Sequence, residues 1–353
     1  MTDSTADYHA PSNRRAGWIY AALVVCVALL FVAELSIGAV AVPLNAVLGA
    51  LLGQEVGEVW QNILFDFRLP RALNALCSGA ALGAAGLLLQ TLFRNPLADP
   101  FVLGIVHSAR LGAAVLVTFA GVAGNALLIR FGVLGDAGLA LASVAGSTLL
   151  LSLLAALSSR LNTITLLICG LMLGYLAVGL ISVLMHFIDE NQARAFKAWD
   201  DASFAGATVD QLRLLIPGVG LGLLAMAVLV KPLNALLLGE RYAASMGMPV
   251  QRVRRFALFV AAWLCGLVTA FCGPVAFLGL VAAQVTRGMF SSADHRVLLP
   301  GVVLTGAVLG LAADLITHLP WSRHVLHLNA VIGLVGAPVA LYVLLRRQRP
   351  AGF

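Results

Sequence analysis

The sequence predicts an all-α polytopic membrane protein, with about ten transmembrane helices arranged as an inverted internal repeat. Three observations carry that expectation. Of 353 residues, 61% are hydrophobic and only 11% charged, with a mean hydropathy of +0.97; a soluble domain carries about 25% charged residues. The apolar residues come in runs of about 20, the length that crosses a bilayer as a helix, without the ~10-residue alternation of barrel strands. Finally, Pro100-Phe-Val-Leu-Gly-Ile-Val106 matches Pro274-Val-Ala-Phe-Leu-Gly-Leu-Val281 with one residue inserted, each copy following a Gly/Ala-rich span. Five spans separate the copies, and an odd number inverts the second.

Taken in order, residues 1–17 form a polar tail, with Arg14-Arg15 just before the first apolar run, Trp18 to Ile37. That run is long and no clean A-x-A site follows, so an uncleaved span is expected rather than a signal peptide. Pro43 to Trp60 places Gln54, Glu55 and Glu58 among apolar residues at helical spacing. It is too polar to span and reads as a short helix lying on the outer surface. Spans are expected at 70–93, 101–121, 137–157 and 163–187, followed by a polar segment from Ile188 to Arg213. A span at 213–231 leads to an inner loop, and four more at 255–273, 275–290, 297–317 and 325–345 complete one membrane domain, 18–346, before the tail 347–353. An even number of spans puts both termini on one side. Fourteen Lys and Arg fall in segments on that side and seven on the other, so both termini are expected in the cytoplasm.

Several classes are excluded. The net charge of +6 is spread over short loops as a topology signal, with no basic cluster interleaved with aromatics, so nucleic acid is not an expected partner. Cys26, Cys77, Cys169, Cys265 and Cys272 lie in apolar runs without C-x-x-C spacing and read as packing residues, with no metal site or cofactor expected. No G-x-x-x-x-G-K-[ST] loop is present, so the chain is not itself an ATPase, and no H-E-x-x-H, G-x-S-x-G or paired intramembrane aspartates suggest an enzyme. An ion-coupled secondary transporter is the alternative; it would need a carboxylate within the spans, and Asp314 is the convincing candidate.

The most distinctive stretch is Arg68 to Gly104, RLPRALNALCSGAALGAAGLLLQTLFRNPLADPFVLG. Its small residues permit close helix approach, and Pro96 and Pro100 end the helix. Arg68 and Arg71, three apart, share a helical face at the outer end, where they serve either as interfacial anchors or as docking residues. The loop LNALLLGERYAASMGMPVQRVRR, about 233–255, carries more apolar surface than a connector needs, as partner-facing surfaces do. His107 and Arg110 lie inside the third span, either packed as a polar pair or facing a water-filled pathway. Asp200 and Asp201 are either solvated loop charges or attractors of a cationic substrate. His186, His318, His324 and His327 sit near outer span ends, and dispersed interfacial histidines are commoner than a haem relay.

The R-x-P-R entry, the small-residue helix and the R-N-P-L-A-x-P turn closely resemble the signature of permease subunits of type II ATP-binding-cassette importers, the cobalamin, haem and ferric-siderophore permeases. The resemblance extends through L-N-x-L-x-L-G-E-x-Y-A at the inner loop and D-H-R-x-L-L-P at Asp294–Pro300, from about Arg68 to Arg346. It implies a bacterial inner-membrane permease, paired with a second copy in the surrounding lipid, with a separate ATPase below and a substrate-binding protein above. It implies that Arg68 and Arg71 dock glutamates of the binding protein. His318 stands where the family's A-D-x-x-x-R pattern has arginine, with Arg323 nearby as a substitute. Glu240, Arg241, Tyr242, Ser245, Met246 and Gly247 would form the coupling segment seated in the ATPase. His107 and Arg110 replace small residues of the family, Asp200 and Asp201 replace apolar ones, and Ala283-Gln284 replaces Pro-His. With these changes on pathway-like segments, His107, Arg110, Asp200, Asp201 and Gln284 are the pathway candidates. A ferric siderophore is the leading expected cargo on numbers of such systems alone.

Overall fold

A computed structural model of the chain describes residues 13–38, 40–54, 56–122, 132–157, 161, 163–318 and 326–347. Among these residues the chain is helical throughout, with no strand. Helix α1 is Asn13–Ser36, and two short helices follow, α2 (Leu44–Leu51) and α3 (Glu58–Asn62). A π-helical turn, Ile63–Arg68, runs directly into α4 (Leu69–Leu92). Then come α5 (Ile105–Val122), α6 (Gly132–Leu157), α7 (Thr163–Met185), the short α8 (Glu190–Asp200) and α9 (Val209–Leu237). The rest is α10 (Glu240–Ser245), α11 (Val250–Cys272), α12 (Leu278–Phe290), α13 (His295–Thr317) and α14 (Leu328–Arg347).

Each of the ten expected spans contains one long or apolar helix. Seven of these are long and apolar enough to cross a membrane, and Ile105–Phe119 and Leu328–Tyr342 are shorter apolar stretches. The expected span at 275–290 is different: α12 has only 13 residues, about 20 Å at 1.5 Å per residue, short of a ~30 Å hydrocarbon core. The polar expectation for 43–60 also resolves into α2 and α3 rather than one helix, because Gly53 with φ +75° breaks it.

Helix α4 is the hub. It packs against α13, α11, α12 and α9, and almost every residue from Ser78 to Leu92 is buried. A methyl group at Gly79 would collide with the Gly306 carbonyl of α13, and one at Gly86 with the Gly279 backbone of α12. Apolar attraction between helices is weak in lipid, so this backbone-to-backbone contact is what fastens them. Buried polar links add direction: Asn74 Nδ2 donates to the Phe204 carbonyl at 3.1 Å, and Ser78 Oγ lies 3.1 Å from Asn74 Oδ1.

The two copies of the internal repeat meet. Asp99, in the turn before α5, accepts the Leu280 N–H at the start of α12 at 2.9 Å and its own Phe101 N–H at 3.0 Å. The Phe101 and Phe277 rings lie 6.2 Å apart. A buried carboxylate at a helix N-terminus satisfies donors that α12 leaves open where it begins.

Candidate functional site

At the Arg71 end of α4, Pro70 opens the helix, where its missing N–H costs nothing. The two arginines of that turn diverge. Arg68 donates from Nη1 to the Leu35 carbonyl at 2.7 Å and from Nη2 to the Val40 carbonyl, so it closes the end of α1. Arg71 turns to α13 and grips Asp314 bidentately, Nε to Oδ2 at 2.7 Å and Nη2 to Oδ1 at 2.8 Å. Its Nη2 also donates to Thr317 Oγ1 at 3.1 Å and lies 2.8 Å from His318 Nδ1. Glu34 of α1 completes the cluster, with Oε1 3.6 Å from Arg71 Nε and 3.4 Å from His318 Nε2. Glu34 and Asp314 are only 2% and 1% exposed. Burial, and then the neighbouring Arg71 guanidinium, push the His318 imidazole below its ordinary value. His318, the residue in the arginine's place, thus sits in contact with Arg71, while Arg323 lies outside the described residues.

On α5 and α8, three pathway candidates come together. Arg110 Nε donates to Asp200 Oδ1 at 2.5 Å and Nη2 to Oδ2, while His107 Nδ1 is 3.1 Å from Arg110 Nη1. The His107 ring packs 4.7 Å from Phe101. An intramembrane arginine is costly unless paired, and Asp200 of α8 is its partner. The segment carrying Asp200 is itself strapped to α11: Trp199 Nε1 donates to the Ala270 carbonyl and Ser203 N to the Cys272 carbonyl, each at 2.9 Å. Asp201 is not part of this group; it is exposed and faces His327 at 3.7 Å. Gln284 is also apart, donating to the Pro96 carbonyl at 2.6 Å and to Gln90 Oε1 at 3.1 Å, beside the Arg94 turn. His186 is exposed just beyond the end of α7, and His324 lies outside the described residues.

Of the residues expected to couple, Glu240, Arg241, Tyr242 and Ser245 lie on the short helix α10 at the Arg94 end, with Met246 and Gly247 just after it. Gly239 (φ +118°) and Gly247 (φ +82°) bracket α10, both in conformations that favour glycine. Ala243 is buried beneath, whereas Leu238, Tyr242 and Met246 are 66%, 54% and 53% exposed. Glu240 pairs with Arg254 of α11 at 3.4 Å, and Arg241 is exposed. Ser245 Oγ donates to the Tyr242 carbonyl at 2.8 Å, closing the short helix. An apolar patch on a six-residue helix bounded by glycines is a surface shaped for a partner.

Sequence reasoning missed Glu34, Asp99 and the cavity that Arg287 lines together with the Arg94 turn. Glu34 is a charged residue inside the apolar run Trp18–Ile37, and that cost was the signal available.

A multi-span helical protein with a tightly packed hub, a paired arginine among its apolar helices and exposed apolar residues around a short helix at one end fits the class of transport permeases. The model of the FecCD transport family matches residues 26–346, and the chain belongs to that family. It is similar to the vitamin B12 import system permease protein BtuC of Klebsiella pneumoniae, 33% identical over 297 residues, 84% of this chain and 86% of the relative. The BtuC of Salmonella paratyphi A is 32% identical over 318 residues, 87% of this chain and 94% of the relative. Among solved structures, an inward-facing transporter provisionally assigned to the metal-chelate type of ABC transporters superposes with a TM-score of 0.78 at 25% identity, covering 94% of this chain and 99% of that one.

Proposed function

We propose that the chain is the permease of an ATP-binding-cassette importer in the bacterial inner membrane, both termini in the cytoplasm, working as a homodimer. Its cargo is a metal-centred chelate. The names of the relatives favour cobalamin over the ferric siderophore that numbers alone suggested, with haem and siderophore as the other members of the class. The observation that carries the reading is the exposed apolar surface on and flanking α10, Tyr242 with Leu238 before the helix and Met246 after it, at the Arg94 end. A secondary transporter has no use for it. The carboxylate such a transporter would need, Asp314, is already held bidentately by Arg71.

In this reading an ATPase subunit seats α10, with Glu240, Arg241, Tyr242, Ser245, Met246 and Gly247 as the coupling residues. Closure of the ATPase dimer then moves α10 and, through it, α9 and α11, which lead away from both ends of the segment. At the opposite end a substrate-binding protein docks over Arg68, Arg71 and His318, with Arg323 in the adjoining segment. Its carboxylates meet an Arg71 whose position is set by Asp314. The Arg110–Asp200 pair holds α8 across α5 at the outer mouth, and alternating access requires that contact to yield. Asp201 lies at that mouth, and Gln284 braces the inner turn.

The test is ATP hydrolysis by the permease reconstituted in nanodiscs with its ATPase, with and without the binding protein. Stimulation should disappear when Tyr242 and Met246 are both replaced by Glu, and should fall with Arg68→Glu/Arg71→Glu. An ATPase that fails to associate with the wild-type permease would overturn the reading. Cargo is separated by tryptophan-fluorescence titration of the binding protein with cobalamin, haem and ferric siderophore.

A further inference from the structure

The Arg94 end contains a cavity of about 320 Å³ between the end of α4, the turn that follows it, the end of α9 and α12. Gln90, Arg94, Asn95, Leu236, Leu237 and Arg287 are among its lining residues, and no carboxylate lines it. Three of these carry donors that the protein does not use. Gln90 is 3% exposed, and its Nε2 has no hydrogen-bond partner among the described residues, although its Oε1 accepts from Gln284. The half-buried Arg287 guanidinium makes no hydrogen bond or ion pair among the described residues. Arg94 spends one donor on the Leu236 carbonyl at 3.1 Å and keeps the rest of its guanidinium.

Such an arrangement is unfavourable by itself. A half-buried guanidinium without a counter-charge, as at Arg287, and a buried amide N–H without an acceptor each cost free energy. The turn also stores strain: Arg94 holds φ +47°, a left-handed conformation that non-glycine residues seldom adopt, and it is the conformation from which its guanidinium reaches the cavity wall. Two guanidinium groups lining one space, with no carboxylate among its described lining residues, complement an anion with several oxygens.

We propose that this cavity binds a phosphate group, held by Arg287 and Arg94 and supplied either by the head group of an anionic phospholipid or as free phosphate. Its volume leaves room around a phosphate for an ester substituent, and basic pockets between helices on the cytoplasmic side of a membrane recognise lipid head groups. The occupant ties α12 to the Arg94 turn and to the end of α9, two residues before α10 begins. It therefore braces the element that leads into the coupling helix. The site is independent of which chelate is carried.

Native mass spectrometry of the full-length permease, with phosphatidylglycerol or phosphatidylcholine added, tests the proposal directly. One phosphatidylglycerol per chain should be retained, and phosphatidylcholine should not. Arg287→Gln should weaken retention about tenfold or more, the loss expected for a charge-assisted hydrogen bond. Lys231→Gln, an exposed cation of α9 outside the cavity, should leave retention unchanged. Arg94→Gln removes the second guanidinium and should also weaken retention; it keeps the proposal falsifiable if Arg287→Gln fails to fold. If inorganic phosphate raises the thermal unfolding midpoint with the same Arg287 dependence while the lipid is not retained, the source is free phosphate. Equal retention in wild type and Arg287→Gln, or no response to either anion, overturns the site.

Discussion

The two ends of α4 treat charge in opposite ways. At the Arg71 end the arginine meets Asp314 and Glu34 within one buried cluster, and farther in, Arg110 meets Asp200. At the Arg94 end, Arg94 and Arg287 line a cavity without a carboxylate. The first end is held by ion pairs made within the chain, although both Glu34 oxygens make no hydrogen bond among the described residues, whereas the second leaves two guanidinium groups without a carboxylate. A membrane protein gains by pairing an ionisable group internally, because lipid offers no hydrogen bonds. Leaving a donor unpaired is then informative about what binds there.

The comparison breaks most visibly at Arg71. Arg71→Ala leaves two buried carboxylates without their cation, and a loss of about 3 kcal/mol is expected, as for other disrupted buried pairs. Thermal unfolding in detergent measures it, and Arg71→Ala/Asp314→Asn should recover part of the loss. Next comes Arg110→Ala, expected to cost about 2 kcal/mol as the loss of charge-assisted hydrogen bonds. A double-mutant cycle with Asp200→Asn should show that the two residues are coupled; additive losses would mean that the pair carries no energy. At the opposite end the sign should change. Arg287→Gln removes a half-buried, unpaired charge and is expected to be neutral or stabilising in lipid-free detergent, and destabilising only when an anionic lipid is present.

Smaller still is Glu240→Gln, which loosens a half-exposed pair with Arg254 worth under about 1 kcal/mol. Its effect should appear in ATPase stimulation rather than in stability. The smallest is His318. Its folded value is lowered by burial and by Arg71, so the unfolded chain takes up its proton first as pH falls. The associated stability is present above the ordinary histidine value of about 6.5 and is lost as pH drops through the lowered folded value. Unfolding midpoints measured against pH should therefore fall less steeply in the acid range for His318→Gln than for wild type.

Much of this protein is written locally. Runs of about 20 apolar residues specify helices whatever they pack against, and every span expected from them contains a helix. The exception, α12, reads as a full span because its apolar run continues into 273–277, where Gly273 (φ +71°) and Phe277 (φ +59°) turn the chain out of helix. Hydropathy is blind to that, since it reports where a segment is content to lie and not its backbone angles. The glycines of α4 announced close packing, but their partners, Gly306 and Gly279, lie some two hundred residues away in sequence.

The sites divide along the same line. The segment proposed for coupling was legible because glycines and apolar residues within one short stretch define it. The pathway candidates were legible only as costly residues: His107, Arg110 and Asp200 gather into one group, whereas Asp201 and Gln284 go elsewhere. The sequence by itself determined the helices, their order and which residues are expensive in a membrane, because these depend on composition within one segment. Only the tertiary structure decided who neutralises whom. Arg71 and Asp314 are 243 residues apart, Arg110 and Asp200 are 90 apart, and Arg287 meets no carboxylate at all among the described residues. Coulomb energy depends on distances of a few ångströms between side chains, and in this chain those distances are set by how closely the glycine-lined helices pack.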